Sequence, residues 1–177
     1  MHKISKFNII RYISISIKSG NIAQFEYLFK THHKALTSVT INNFMHRACE
    51  FNNIKVIKMM IEQFKVDTTT NRSRLYLNSA VKFYREDIVE YLLTDPRIDP
   101  SIYNNVALRF AASSEHRTII KMLMSHPKVM AKLNYVCRDT SVMDKIATRA
   151  IKTELVHNKK FDYINSIKDA DIFIEML

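Results

Sequence analysis

An all-α solenoid of helix–turn–helix repeats is the fold this sequence predicts, and three observations predict it. First, one spacing of small and apolar residues recurs. Met45, Ala48, Val56, Ile57, Met60 and Ile61 match Leu77, Ala80, Ile88, Val89, Leu92 and Leu93, offset by 32 residues (77 − 45). Leu108, Ala111, Ile119, Ile120, Leu123 and Met124 follow after a further 31 (108 − 77). Self-similarity at this period marks stacked supersecondary units rather than one folded-back core. Second, the spacing inside each set is helical. Leu108 and Ala111, three apart, share a face of one helix, and Ile119, Ile120, Leu123 and Met124 make a wider stripe on the next. Third, polar residues separate the two stripes and proline follows the second, where a helix has to stop.

The elements follow in order. A weaker first copy holds Ile13, Ser16, Gln24, Phe25, Leu28 and Phe29, with its turn at Gly20-Asn21. Ile13 to Ile17 also alternates as a strand would, but the repeat spacing places it on a first helix. The second copy turns at Phe51-Asn52-Asn53 and the third at Phe83-Tyr84-Arg85. After the third comes the stop Asp95-Pro96-Arg97-Ile98-Asp99-Pro100. The fourth copy turns at Ser113-Ser114-Glu115-His116 and stops at His126-Pro127-Lys128-Val129. Each unit thus reads as helix, tight turn, helix, extended loop. The predicted boundaries are a capping repeat at 1–37, repeats at 38–69, 70–100 and 101–131, and a degenerate repeat or helical cap at 132–177. Past Met130 the spacing is lost. Leu155, Ile164 and Ile167 fit a fifth unit only with an insertion, and the apolar end Ile172 to Leu177 suits a capping helix or a partner motif.

These residues resemble the ankyrin repeat. Asn43-Phe44-Met45-His46-Arg47-Ala48 keeps the histidine and alanine of the Thr-Pro-Leu-His-x-Ala signature. Val106-Ala107-Leu108-Arg109-Phe110-Ala111-Ala112 keeps its leucine and alanines, with His116 on the later histidine slot. Gly20-Asn21 fits the Gly-His slot, and the Asp95–Ser101 loop resembles a variant of amoebal and large-DNA-virus repeats. The resemblance covers residues 13 to 129 and departs from the family in two ways. The Thr-Pro pair is missing, and the inter-helix glycine survives only as Gly20, replaced by Asn52, Tyr84 and Glu115. A left-handed residue is wanted there, at about 1–2 kcal/mol for a side chain such as tyrosine or glutamate, so rebuilt turns are expected at Tyr84 and Glu115.

Composition excludes several classes. A single glycine, Gly20, leaves no Gly-rich phosphate loop. No apolar run approaches the eighteen or so residues of a membrane span. Arg11 interrupts the one N-terminal stretch that resembles a signal peptide, so an intracellular protein, cytoplasmic or nuclear, is expected. Cys49 and Cys137 are too few and too distant for a disulfide framework, and Cys49, next to the repeat alanine, reads as a buried apolar residue. The methionines Met45, Met59, Met60, Met122 and Met124 read as core filler. No metal-ligand spacing and no nucleophile–base pair is present, so no catalytic residue, cofactor or metal is expected. His46 and His116 stand where the family uses histidine to tie backbone together, and His32-His33 falls in a terminal loop. Glu86, Asp87 and Glu90 read as an acidic helix start.

What remains is surface recognition by a non-enzymatic binding module. The net charge is +10, and residues 1–66 carry ten Lys/Arg against three Asp/Glu. That excess points to an acidic protein partner or, as the alternative, to nucleic acid held by the basic N-terminal repeats. Scattered lysines also serve plain solubility. The resemblance implies that partners lie on the concave side, at loop tips and just after the alanine pair. Those positions are Lys18 and Ser19, Glu50 and Phe51, Lys82 and Phe83, Ser113 and Ser114, with loop tips at Thr40, Asn42, Arg72, Arg74, Tyr103 and Asn105. Phe51 and Phe83 fall on one slot of adjacent units (83 − 51 = 32), and Arg72, Arg74 and Lys82 would surround them. The expected contact set is Lys18, Phe51, Arg72, Arg74, Lys82, Phe83, Tyr103, Ser113 and Ser114; packing of each ring over a neighbouring helix is the competing role.

Overall fold

A computed structural model describes residues 5–67 and 75–132. Every regular element among them is a helix, so the all-α expectation holds. The described residues fall into two compact units, one up to Ile102 and one from Tyr103 onward.

In the first unit α1 (Lys6–Ser19) pairs with α2 (Ile22–His32), α3 (Ser38–Glu50) with α4 (Ile54–Glu62), and α5 (Leu75–Lys82) with α6 (Glu86–Leu93). The first helices α1, α3 and α5 pack in succession, so each lies against its own partner and its neighbours in the series. The repeat stripe supplies this core. Ile13, Phe25, Phe29, Met45, Ala48, Val56, Ile57, Met60, Ala80, Ile88, Val89 and Leu92 are all out of water. Gln24 of the weak first copy is exposed, and Leu28 and Leu93 are half-buried. Met59 is half-buried too, so that methionine borders the core rather than filling it. Ser16 replaces the small alanine at no loss of packing, because its hydroxyl donates to the Ile13 carbonyl at 2.7 Å. Ile13 to Ile17 lies inside α1, as the repeat spacing requires.

Helix starts are capped by side chains that the sequence supplies at the right place. The side chains of Ser5, Asn21, Thr37 and Asn53 accept from the backbone N–H three residues on, offsetting donors that the first helical turn leaves unpaired. Helix α6 has no such cap at Arg85 but carries Glu86 and Asp87 in its first turn, which favours the positive end of the helix dipole.

The second unit holds α7 (Ile102–Ser113) from its second residue on, α8 (Arg117–Met124) and α9 (Pro127–Ala131). Leu108, Ala111, Ile119, Ile120, Leu123 and Met124 are buried; Met122 is only half-buried. The start of α7 is irregular: Tyr103, Asn104 and Asn105 are left-handed, with φ of 50°, 55° and 56°. Pro127 was expected to close an extended stop. It instead sits in the first turn of α9, where its missing N–H costs nothing, and α9 packs on α8.

The inter-helix turns overturn one expectation. Gly20, Asn52, Tyr84 and Glu115 all keep left-handed backbone, with φ of 71°, 55°, 58° and 56°. Neither Tyr84 nor Glu115 has rebuilt its turn. Each left-handed N–H donates to the carbonyl three residues back, and the next N–H to the carbonyl five back, as in Asn21 to Ser16 at 3.0 Å and Arg85 to Ala80 at 2.9 Å. This Schellman closure uses backbone alone, so it tolerates a costly side chain where satisfied carbonyls and the packed small residue outweigh the strain.

Candidate functional site

The closures set where the expected contact residues point. Lys18 lies in the last turn of α1, Phe51 caps the C-terminus of α3, and Lys82 ends α5 with Phe83 just beyond it. Lys18 and Lys82 are exposed; Phe51 and Phe83 are half-buried. Their rings are therefore neither free anchors nor core. The Lys18 ammonium sits 5.9 Å from the Phe51 ring centre and the Arg47 guanidinium 5.6 Å. Lys82 lies 5.8 Å over the Phe83 ring, and the His46 ring is 5.7 Å away from it. His46 and Arg47, adjacent in α3, thus connect the two phenylalanines into one row. Arg47 was missed in the sequence, although its position beside the repeat histidine was the available signal.

His46 does not tie backbone together as expected. Its Nδ1 lies 2.6 Å from the Ser79 hydroxyl on α5, a side-chain link between neighbouring first helices. Backbone is tied by other residues. Asn53 donates to the Ile17 carbonyl at 3.3 Å, and Arg85, on the same repeat slot, donates to the Cys49 and Glu50 carbonyls at 3.3 and 2.6 Å. Ile17 and Cys49 each accept a second bond from their own turn, from the N–H of Gly20 and of Asn52. A carbonyl has two lone pairs, and both are used here.

The remaining expected contacts divide. In the second unit Tyr103 is 59% exposed, Ser114 is exposed, and Ser113 is half-buried with its hydroxyl donating to the Phe110 carbonyl at 3.0 Å. Arg72 and Arg74 lie outside the described residues, as do Cys137 and the C-terminal segment 133–177 with its expected cap. Three loop tips are corrected. Thr40 and Asn42 belong to α3, and Asn42 accepts from the Tyr76 hydroxyl. Asn105 is fully buried, with its amide donating to the Val129 carbonyl at 3.1 Å. A polar residue before a repeat reads as a loop tip until its long-range partner is seen.

Two features test other chemistries. Cys49 is buried, reaches the Tyr76 carbonyl with its sulfur at 3.8 Å, and has its thiol pushed up to about 12 by burial. Such a thiol is not a nucleophile at neutral pH. A cleft of about 230 Å³ opens beside Phe29, His33 and Phe64. That is below the roughly 300–1,000 Å³ of small-molecule sites. His33, at the end of α2, stacks 5.6 Å from Phe29 and reaches the Phe29 carbonyl at 3.0 Å, so it packs and caps there. Among the described residues no three His, Cys, Asp or Glu side chains gather as a metal site needs, and no helix is long and apolar enough to cross a membrane.

Comparison with known proteins adds the family. A model described as ankyrin repeats (three copies) matches residues 13–104 and again 45–137. No curated protein and no solved structure matches the chain. Ankyrin repeats generally mediate protein–protein interaction, and the family is typically non-enzymatic. The matches together run from 13 to 137, over more than half the chain, and coincide with helix pairs closed by the same left-handed turn. The chain belongs to the ankyrin-repeat family.

Proposed function

We propose that this protein is a non-enzymatic protein–protein interaction module that holds its partner on the concave face of the repeats. The observation that carries this reading is the fate of one slot. The stripe positions of the second and third repeats are buried almost throughout, whereas Phe51 and Phe83 end α3 and α5 half-exposed. Large aromatics at partly desolvated positions dominate binding hot spots. Lys18 and Lys82 belong to the same contact, and Tyr103, Ser113 and Ser114 are the proposed contacts of the second unit. An intracellular setting, cytoplasmic or nuclear, goes with this reading, and the free buried thiol of Cys49 is compatible with it.

The test is affinity capture from cells with the native chain and with Phe51→Ala and Phe83→Ala. Each variant should keep its helical spectrum and lose about 2 kcal/mol or more of binding, seen as loss of the captured protein. Full recovery of that protein by both stable variants overturns the site.

A further inference from the structure

We propose that the Phe51–Phe83 row takes an acidic peptide segment, with the Arg47 guanidinium meeting a carboxylate between flanking Lys18 and Lys82. This rests on the row being the partner site and names the chemistry of what it holds. Three cations lie over two rings, at 5.9 and 5.6 Å for Lys18 and Arg47 and 5.8 Å for Lys82. None of the three pairs with a carboxylate among the described residues. Glu50 is the one acid among the row positions 18, 19, 50, 51, 82 and 83.

Arg47 is the centre of the row. Its Nε is buried and has no hydrogen-bond partner among the described residues. A guanidinium already stripped of part of its water on one side needs less further desolvation when a carboxylate reaches its outer edge. Its planar fork suits a carboxylate held by two parallel bonds. Seating over Phe51 restricts the side chain before binding, so less freedom is lost on contact.

A phosphate backbone would also seek these cations, but the rings argue against nucleic acid. Proteins that hold single strands offer open aromatic faces on which bases stack. Here Lys18 and Arg47 lie over Phe51, and Lys82 over Phe83. The row therefore presents ammonium and guanidinium edges along an apolar floor, the complement of carboxylates interleaved with apolar side chains.

The experiment titrates the full chain by fluorescence anisotropy with three probes. They are a labelled peptide alternating glutamate and leucine, its glutamine counterpart, and a single-stranded DNA of similar length. The glutamate peptide should bind about tenfold tighter than the glutamine peptide. Arg47→Gln should lose roughly fivefold or more, and so should the exposed pair Lys18→Gln with Lys82→Gln, which keeps the test alive if Arg47→Gln unfolds. Lys58→Gln makes the same charge change on α4, where the ammonium lies 5.1 Å over Tyr91, and should leave binding unchanged. Equal affinity for both peptides overturns the proposal, as does equal loss from Lys58→Gln and Arg47→Gln. DNA that outbinds the glutamate peptide and is released by Arg47→Gln overturns it in favour of nucleic acid. If the peptides bind equally while Phe51→Ala still loses the captured protein, the acidic assignment falls and the partner site stands.

Discussion

At the scale of the residue, one backbone position is left-handed in every repeat, at Gly20, Asn52, Tyr84 and Glu115. Gly20 adopts its left-handed φ of 71° freely, and a Cβ built there meets nothing within 4 Å. Gly20→Ala should therefore cost about 1 kcal/mol through backbone strain alone. Glu115→Gly should gain about as much, since glutamate holds φ 56° at the equivalent turn. Urea midpoints of the two variants check both signs, and a change of the same sign in both would refute the strain argument. Cys49 supplies a pH test. Its folded pKa of about 12 lies above the ordinary 9.0, so its contribution is fully present below pH 9.0 and is lost as pH rises toward 12. Thermal midpoints compared with Cys49→Ala should show a steeper alkaline fall in the native chain. The stripe residues were legible because burial follows the helical period. The turn conformation at Tyr84 and Glu115 was not, because a side chain's reluctance to be left-handed is smaller than what the surrounding closure gains.

At the scale of the element, helix identity was legible and helix linkage was not. Apolar spacing marks α3 and α4, and Asn53 announces the start of α4 as a cap. Nothing local shows that the Asn53 amide also reaches Ile17, or that Arg85 reaches Cys49 and Glu50, since the partners lie about one repeat away. The signal that was there is periodic: Asn53 and Arg85 share a repeat slot, and Ile17 and Cys49 share another. Arg85→Met keeps the stem and removes both donors. It should destabilise the chain by about 1–3 kcal/mol, read from urea unfolding. An unchanged midpoint would mean that water replaces the guanidinium at no cost. The Phe51–Phe83 row lies at the same scale. Its slot was legible, and so was the i, i+4 pairing that lays Arg47 over Phe51 at the end of α3, but the approach of Lys18 from α1 to Phe51 and of His46 from α3 to Phe83 depends on neighbouring helices.

At the scale of the molecule, one set of links between repeats, the ties from Asn53 and Arg85 to backbone carbonyls, runs one way. In each, the donor side chain lies 35 or 36 residues downstream of the carbonyl it meets, from Asn53 to Ile17 and from Arg85 to Cys49 and Glu50. Contacts between neighbours alone make such proteins close to one-dimensional. A growing polypeptide emerges from its N-terminus at a pace slow beside helix formation. When Asn53 leaves the ribosome, α1 is already out and its Ile17 carbonyl waits; when Arg85 follows, α3 is in the same position. For these backbone ties each newborn repeat of the first unit meets a finished template, while the Cys49 thiol and the His46 ring wait for Tyr76 and Ser79 of the next repeat, so synthesis itself can start the order of assembly.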